Sequence, residues 1–256
     1  MKRIVVKVGS AVLTQNGAIA LQRMQALVDF IVKLQQKYEV ILVSSGAVAG
    51  GYTKLKLDRA TLANKQALAA IGQPVLMQKY TKKFAKYNQL VAQVLVTAAN
   101  LNKEDDILRV KATIETLIQN GVIPIVNEND ATATEELEVG DNDQLSAYIT
   151  NHTDADMLII LSDIDAYYNS DPRKNSDAKV LKRVEKIERE ELEKDVSPNN
   201  LFATGGIVTK LKAAAYLLDA GKEMFLASGF DLSDAESFML DGNHKGGTIF
   251  TTKANR

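Results

Sequence analysis

The run Ile4-Val5-Val6-Lys7-Val8-Gly9-Ser10 opens the chain and sets its reading. Ile4-Val5-Val6 is β-branched and apolar on consecutive positions, so both faces of this strand are expected to be buried. Leu21, Met24, Leu27, Val28, Ile31 and Leu34 follow at helical spacing, and Val40-Ile41-Leu42-Val43 is a second apolar run ending at Ser44-Ser45-Gly46. The alternation continues. Ala60–Ala70 reads as a helix that Gly72-Gln73-Pro74 breaks, with a second helix to about Tyr87. Leu90–Val96 reads as a strand, Glu104–Gln119 as a helix and Val122–Val126 as a strand. Pro124 cannot donate to a ladder, which puts that strand at a sheet edge or starts it there. Asn142–Thr150 is a helix, Met157–Leu161 a strand, and Thr209–Leu218 a helix closed by Gly221. Short strands Phe225–Ala227 and Thr248–Phe250 come last, and the polar segment Asp163–Asn200, with a turn at Asp171-Pro172-Arg173, is a surface excursion. Buried strands separated by amphipathic helices specify an α/β chain with a parallel sheet covered on both faces. Ligands of such sheets bind at the carboxyl ends of the strands, here the loops after Val8, Val43, Val96, Val126 and Leu161.

Composition narrows the function. The 256 residues are 46% hydrophobic and 25% charged, which suits a globular domain and excludes wholesale disorder. The 31 basic and 32 acidic side chains leave a formal net charge of -1, with no Trp and 6% aromatics, so neither a basic stripe nor stacking platforms mark a nucleic-acid partner. Cysteine is absent, which removes disulfides, thiolate metal ligands and thiol nucleophiles. Lys7 interrupts the only apolar stretch near the start, so no secretory signal is expected, and no window is long enough to cross a membrane. The expectation is a cytoplasmic protein with no membrane partner.

Three loops suit an anion. Lys7-Val8-Gly9-Ser10 and Ser44-Ser45-Gly46-Ala47 follow strands and offer small residues with free N–H groups; Thr204-Gly205-Gly206-Ile207-Val208-Thr209-Lys210 opens a helix with a lysine in its first turn. One such turn alone reads as a plain connection; three on one sheet edge point to a polyphosphate. Neither the P-loop pattern nor the dinucleotide-binding glycine pattern occurs. The densest polar stretch, Asn127-Glu128-Asn129-Asp130 with Gly140-Asp141-Asn142-Asp143, lies between a strand and a helix and contains no Lys or Arg. It reads either as a solvated loop with Asx turns or as a site for a zwitterion, carboxylates taking an ammonium and amides taking carboxylates.

In this order and at these intervals, Lys7-Val8-Gly9-Ser10, Ser45-Gly46-Ala47, Asn127–Asp130, Gly140–Asp143 and Thr204-Gly205-Gly206 with Thr209-Lys210 make the chain resemble the glutamate 5-kinase branch of the amino acid kinase family, from the first strand to about Thr251. The lysine-glycine opening and the late lysine are shared across that family; the two acidic-amide motifs and Ser-Gly-Ala mark the branch. The resemblance implies a three-layer α/β/α sandwich with a mainly parallel sheet, one domain over 1–256, with glutamate in the N-terminal half and nucleotide in the C-terminal half. It implies transfer of a phosphoryl group from ATP, with Mg²⁺, to the γ-carboxylate of L-glutamate. Inhibition by proline and a homo-oligomer, dimer or tetramer, are also implied. By position, Ser45, Asp130 and Asn142, with Asn127 and Asp141, would bind glutamate. Lys7, Gly9, Ser10, Ser162, Asp163, Thr204, Gly205, Gly206, Ile207, Val208, Thr209 and Lys210 would bind ATP. Lys7 and Lys210 would stabilise the transferring group, with Asp143 organising both; no residue is assigned to a metal.

Three departures stand out. The chain is expected to lack the C-terminal PUA domain many members carry. Ser162 stands where threonine is common, and Asn200-Leu201-Phe202-Ala203 where a Gly-rich stretch is common. The competing readings are a relative acting on another carboxylate or a carbamate, and a non-catalytic amino-acid sensor. A nucleoside monophosphate acceptor would need arginines in the acceptor region, and a sensor would be free to lose Lys7, Asp143 or Lys210, all of which are present. His152 and His244 lie outside every motif and are expected at a surface or helix end.

Overall fold

A computed structural model describes residues 1–132, 142–192 and 206–254. In chain order the elements are β1 (Lys2–Val8), α1 (Ser10–Leu13), β2 (Thr14–Gln15), β3 (Ala18–Ile19), α2 (Leu21–Leu34), β4 (Tyr38–Val43), α3 (Ala47–Tyr52) and α4 (Leu62–Phe84). Then come β5 (Val91–Val96), α5 (Ala98–Leu101), α6 (Glu104–Gln119), β6 (Ile123–Glu128), α7 (Asn142–His152) and β7 (Met157–Ser162). Last are β8 (Arg183–Val184), α8 (Arg189–Leu192), α9 (Ile207–Asp219), β9 (Glu223–Ser228), α10 (Ser233–Glu236) and β10 (Thr248–Phe250).

Eight strands form one sheet in the order β5-β6-β4-β1-β7-β9-β10-β8, parallel throughout except for the antiparallel pair β9–β10. Alternate residues of the central strands feed two cores. Ile4, Val6, Leu42, Ile159 and Phe225 pack with α2 and α4 on one face, whereas Val5, Ile41, Leu158 and Leu226 pack with α6, α7 and α9 on the other. The sheet is therefore the middle of three layers, as the consecutive apolar runs imply. Lys7, on the same side as Val5, is directed towards α7 and α9. Among the described residues no helix is long and apolar enough to cross a membrane.

Two expectations need correction. α4 runs unbroken through Gly72-Gln73-Pro74, giving way only to a 3₁₀ turn at Ala85–Tyr87, and it starts at Leu62, where the Thr61 hydroxyl accepts from the Asn64 N–H at 3.2 Å. An internal proline costs a helix about 3 kcal/mol, but α3 lies directly against this stretch. A Cβ on Gly72 would sit 1.7 Å from the Ala47 carbonyl oxygen, and one on Gly51 1.9 Å from that of Leu68. The two backbones touch, and that packing holds α4 continuous. β6 is likewise not an edge strand: it pairs with β5 on one side and β4 on the other. Pro124 is tolerated because the β4 ladder covers only Ile125 and Val126, so no partner on that side needs its missing N–H.

Other elements lie outside the sequence reading. β2 and β3 form a hairpin over Asn16-Gly17, both with positive φ. The excursion after β7 holds the expected turn at Asp171, whose carboxylate accepts the Arg173 N–H at 3.0 Å, and also delivers β8 to the far edge of the sheet. Its part beyond Leu192, with Asn200–Ala203, lies outside the described residues.

Prediction: Gly72→Ala, which drives a methyl group into the α3 backbone, lowers stability by ~1–3 kcal/mol, the usual cost of overpacking, as read from urea unfolding. An unchanged midpoint would contradict the backbone contact.

Candidate active site at the carboxyl edge of the sheet

Four strands end at the site. β1 brings Lys7, and Gly9, the first residue beyond the strand, anchors the turn through its N–H to the Leu161 carbonyl at 2.9 Å. A Cβ on Gly9 would lie 3.9 Å from the Lys7 Nζ, so glycine leaves the amine's surroundings open. Ser10, exposed, starts α1. β4 ends in Ser44 and Ser45, both buried, and Gly46, whose φ of 101° is a conformation that favours glycine. β6 ends in Asn127 and Glu128. β7 ends in Ser162, whose hydroxyl donates to Asp163 at 2.9 Å and accepts the Ile164 N–H at 3.2 Å.

Asp143, in the first turn of α7, is fully buried. One carboxylate oxygen accepts from Lys7 Nζ at 2.5 Å; the other accepts from Lys210 Nζ at 3.0 Å and the Thr209 hydroxyl at 2.9 Å. Lys7 and Lys210 are 2% and 3% exposed, so one carboxylate and two ammonium groups are packed together out of water. Lys210 also donates to the Gly206 carbonyl at 3.1 Å, which ties the start of α9 to the cluster. Three chain segments thus meet on one carboxylate, which two lysines share.

A second constellation adjoins it. Asn142 donates through Nδ2 to the Ser44 carbonyl and the Ser45 hydroxyl, both at 2.8 Å, and to Asn127 Oδ1 at 3.0 Å. Asn127 passes the contact to Gln73 at 2.9 Å, and Gln73 to Gln93 at 2.9 Å. Behind the loop, the Tyr80 hydroxyl and Ser44 Oγ share a hydrogen bond of 2.8 Å, and burial holds that phenol well above its ordinary pKa. Gln73, Gln93, Glu128, Asn129 and Asp130 line a cleft of about 170 Å³ closed on its apolar side by Ala47, Ala69 and Pro74. Burial raises the Asp130 carboxyl above its usual range.

The structure therefore brings Lys7, Asp143, Thr209 and Lys210 into direct contact, and separately Ser45, Asn127 and Asn142. Asp130 is in the neighbouring cleft. Ser162 and Asp163 stand one strand from Lys7 and are bonded to each other; Gly206, Ile207 and Val208 form the start of α9. Asp141, Thr204 and Gly205 lie outside the described residues. Gln73, Gln93 and Tyr80 are not legible as site residues: Gln73 and Tyr80 are among many polar side chains of α4, and Gln93 is a single amide in the apolar strand β5. His152 stacks near Tyr148 at the end of α7, and His244 meets Phe225 edge-on, both away from the cluster.

Among the described residues no three His, Cys, Asp or Glu side chains are grouped to hold a metal ion, and both Asp143 oxygens already serve lysines. This donor set fits a divalent cation carried by a phosphate ligand, which supplies most of its oxygens.

The chain matches the model of the Amino acid kinase family over residues 2–228. It is 51% identical over 255 residues to glutamate 5-kinase of Leishmania donovani, covering 100% of this chain and 97% of the relative. It is 52% identical over 255 residues to glutamate 5-kinase of Wolinella succinogenes, covering 98% of each. The crystal structure of the T. acidophilum isopentenyl phosphate kinase product complex superposes with a TM-score of 0.66 at 16% identity, over 97% of this chain and 99% of that one, a likeness of fold.

Prediction: Asp143→Asn leaves two buried ammonium groups without their counter-charge and costs ~3–5 kcal/mol in denaturant unfolding. A loss below about 1 kcal/mol would mean that the lysines are not held as described.

Proposed function

Because this chain belongs to the amino acid kinase family, we propose that it is a glutamate 5-kinase, transferring the γ-phosphoryl group of ATP to the γ-carboxylate of L-glutamate. The observation that carries this reading is the pairing of a buried Lys7–Asp143–Lys210 cluster with a cleft whose described lining holds carboxylates and amides but no lysine or arginine. An anion is attracted to the first, and an ammonium-bearing acid to the second. The product, L-glutamyl 5-phosphate, places the enzyme at the first step of proline biosynthesis, and a cytoplasmic location suits both substrates.

The acceptor needs no general base. A glutamate side chain has a pKa near 4.3 and is ionised at neutral pH, which accords with the absence of histidine from the cluster. The barrier is electrostatic: an anion must approach a polyanion. Phosphoryl transfer is catalysed mainly by positioning and by charges set around the equatorial oxygens. Lys7 from β1 and Lys210 from α9 provide those charges, and Asp143 fixes both amines without exchanging a proton. One carboxylate oxygen of glutamate bonds to the γ-phosphorus as the bond to the β-phosphate oxygen breaks, and ADP leaves. Mg²⁺, entering with the nucleotide substrate, neutralises part of the phosphate charge.

In this reading Ser45, Asn127, Asp130, Asp141 and Asn142 serve glutamate in the N-terminal half, with Asp130 on the ammonium. Ser162, Asp163 and Thr204–Lys210 of the C-terminal half serve ATP, joined by Gly9 and Ser10 from the loop after β1. Proline keeps the ammonium and α-carboxylate of glutamate, so it competes for the same cleft. The enzyme works as a homo-oligomer, dimer or tetramer, which light scattering tests.

Predictions: ADP release depends on L-glutamate and fails with aspartate, N-acetylglutamate and UMP; release with UMP instead would overturn the reading. Lys7→Ala or Lys210→Ala lowers kcat by at least ~10², the usual worth of a transition-state charge donor, and near-normal turnover would remove that role. Asp130→Ala raises KM for glutamate far more than KM for ATP. Because Asp130 binds the ammonium only when ionised and its pKa is raised by burial, the wild-type KM for glutamate climbs on acidification from a higher pH than an ordinary aspartate would give. A KM profile shared by wild type and the alanine variant would relocate the ammonium site.

A further inference from the structure

We propose that Gln93 is a specificity-determining residue of the cleft, its side-chain NH₂ donating to the α-carboxylate of glutamate, and that Gln73 is the positioning residue that turns it. The proposal rests on the glutamate 5-kinase reading above.

The two ends of a side-chain amide are assigned from their partners, and here the partners leave one assignment. The Ser44 carbonyl can only accept, so Asn142 presents Nδ2 to it. Asn127 Oδ1 takes that amide at 3.0 Å and the Glu128 backbone N–H at 2.9 Å, both donors. The Asn127 NH₂ must then face Gln73, whose Oε1 accepts at 2.9 Å. That turns the Gln73 NH₂ to Gln93, whose Oε1 accepts at 2.9 Å. Reversing any one amide would set two donors or two acceptors against each other. The relay therefore ends with Gln93 offering a donor.

That donor stands on β5 in the wall of the cleft, beside Glu128 and Asp130. Those carboxylates suit the ammonium of the acceptor and repel its α-carboxylate. Among the described residues the lining has no lysine or arginine, so a neutral donor of fixed orientation suits that second charge. An amide also costs less to dehydrate than a cation, and it leaves the positive charge of the site concentrated at the transfer end.

The test compares Gln93→Glu with Gln93→Leu. Gln93 is exposed, so neither change buries a charge. Glutamate at this position is isosteric and still accepts from Gln73, so the relay survives and only its free end changes, from a donor to an anion. Gln93→Leu is expected to raise KM for glutamate about tenfold, the worth of a hydrogen bond to a charged group. Gln93→Glu is expected to raise it further, while KM for ATP stays within about twofold in both. If Gln93 served packing alone, the isosteric Glu variant would be the milder of the two. A Glu variant no worse than the Leu variant, or a glutamate KM unmoved in both, would overturn the proposal while leaving the kinase reading intact. A wild-type enzyme without glutamate-dependent ADP release would overturn both.

Discussion

Asp143 holds two ammonium groups on its two oxygens with almost no solvent around any of the three. Withdrawing such charges from water costs several kcal/mol per ion, and mutual attraction offsets this only where geometry is close and the remaining donors are satisfied. Here the Thr209 hydroxyl and the Gly206 carbonyl are among the groups that satisfy these charges. The cluster stands at the carboxyl edge of a parallel sheet, where strand ends and helix starts converge, and its two ammonium groups suit an anion. The architecture follows from this requirement: β1 is central so that Lys7 projects from the middle of the sheet, and α7 and α9 pack on one face so that Asp143 and Lys210 can meet it.

The acceptor end is built on the opposite principle. Instead of charge it uses amides in series, each oriented by the last, running from Asn142 through Asn127 and Gln73 to Gln93. Such a relay stays neutral and rigid, so it can discriminate without drawing the polyphosphate away from the lysines. Its foundation is the contact between α3 and α4. Because Gly72 and Gly51 allow the two backbones to touch, α4 stays continuous and presents Gln73 to Asn127 and Tyr80 to Ser44. The small residues that look like helix punctuation in sequence are what aligns the cleft.

Much of the fold was legible because it rests on local pattern. Apolar runs such as Val40–Val43 can only be strands buried on both faces, and their order with the intervening helices fixes a parallel sheet and the edge where ligands bind. The failures came where a tertiary contact overrides a local preference. Pro74 should end a helix, but α3 holds it in one; Pro124 should mark an edge, but it sits one residue outside the β4 ladder. Asn16-Gly17, a dipeptide suited to a tight turn, closes the β2–β3 hairpin. For the site, Lys7, Asp143 and Lys210 were picked out through the family resemblance, since nothing in a separation of 136 residues announces an ion pair. Gln73 gave no signal because it is one of many polar side chains of α4, and Gln93 because a single amide in an apolar strand reads as a surface position.

The central claim, that the two ammonium groups act together on one phosphoryl group, is tested most directly by a double-mutant cycle in kcat for Lys7→Ala and Lys210→Ala. Residues that act as a unit are strongly non-additive. The account predicts that the double variant is at most a few-fold slower than the worse single variant. A double variant slowed by the full product of the two single effects would mean independent roles and would contradict it.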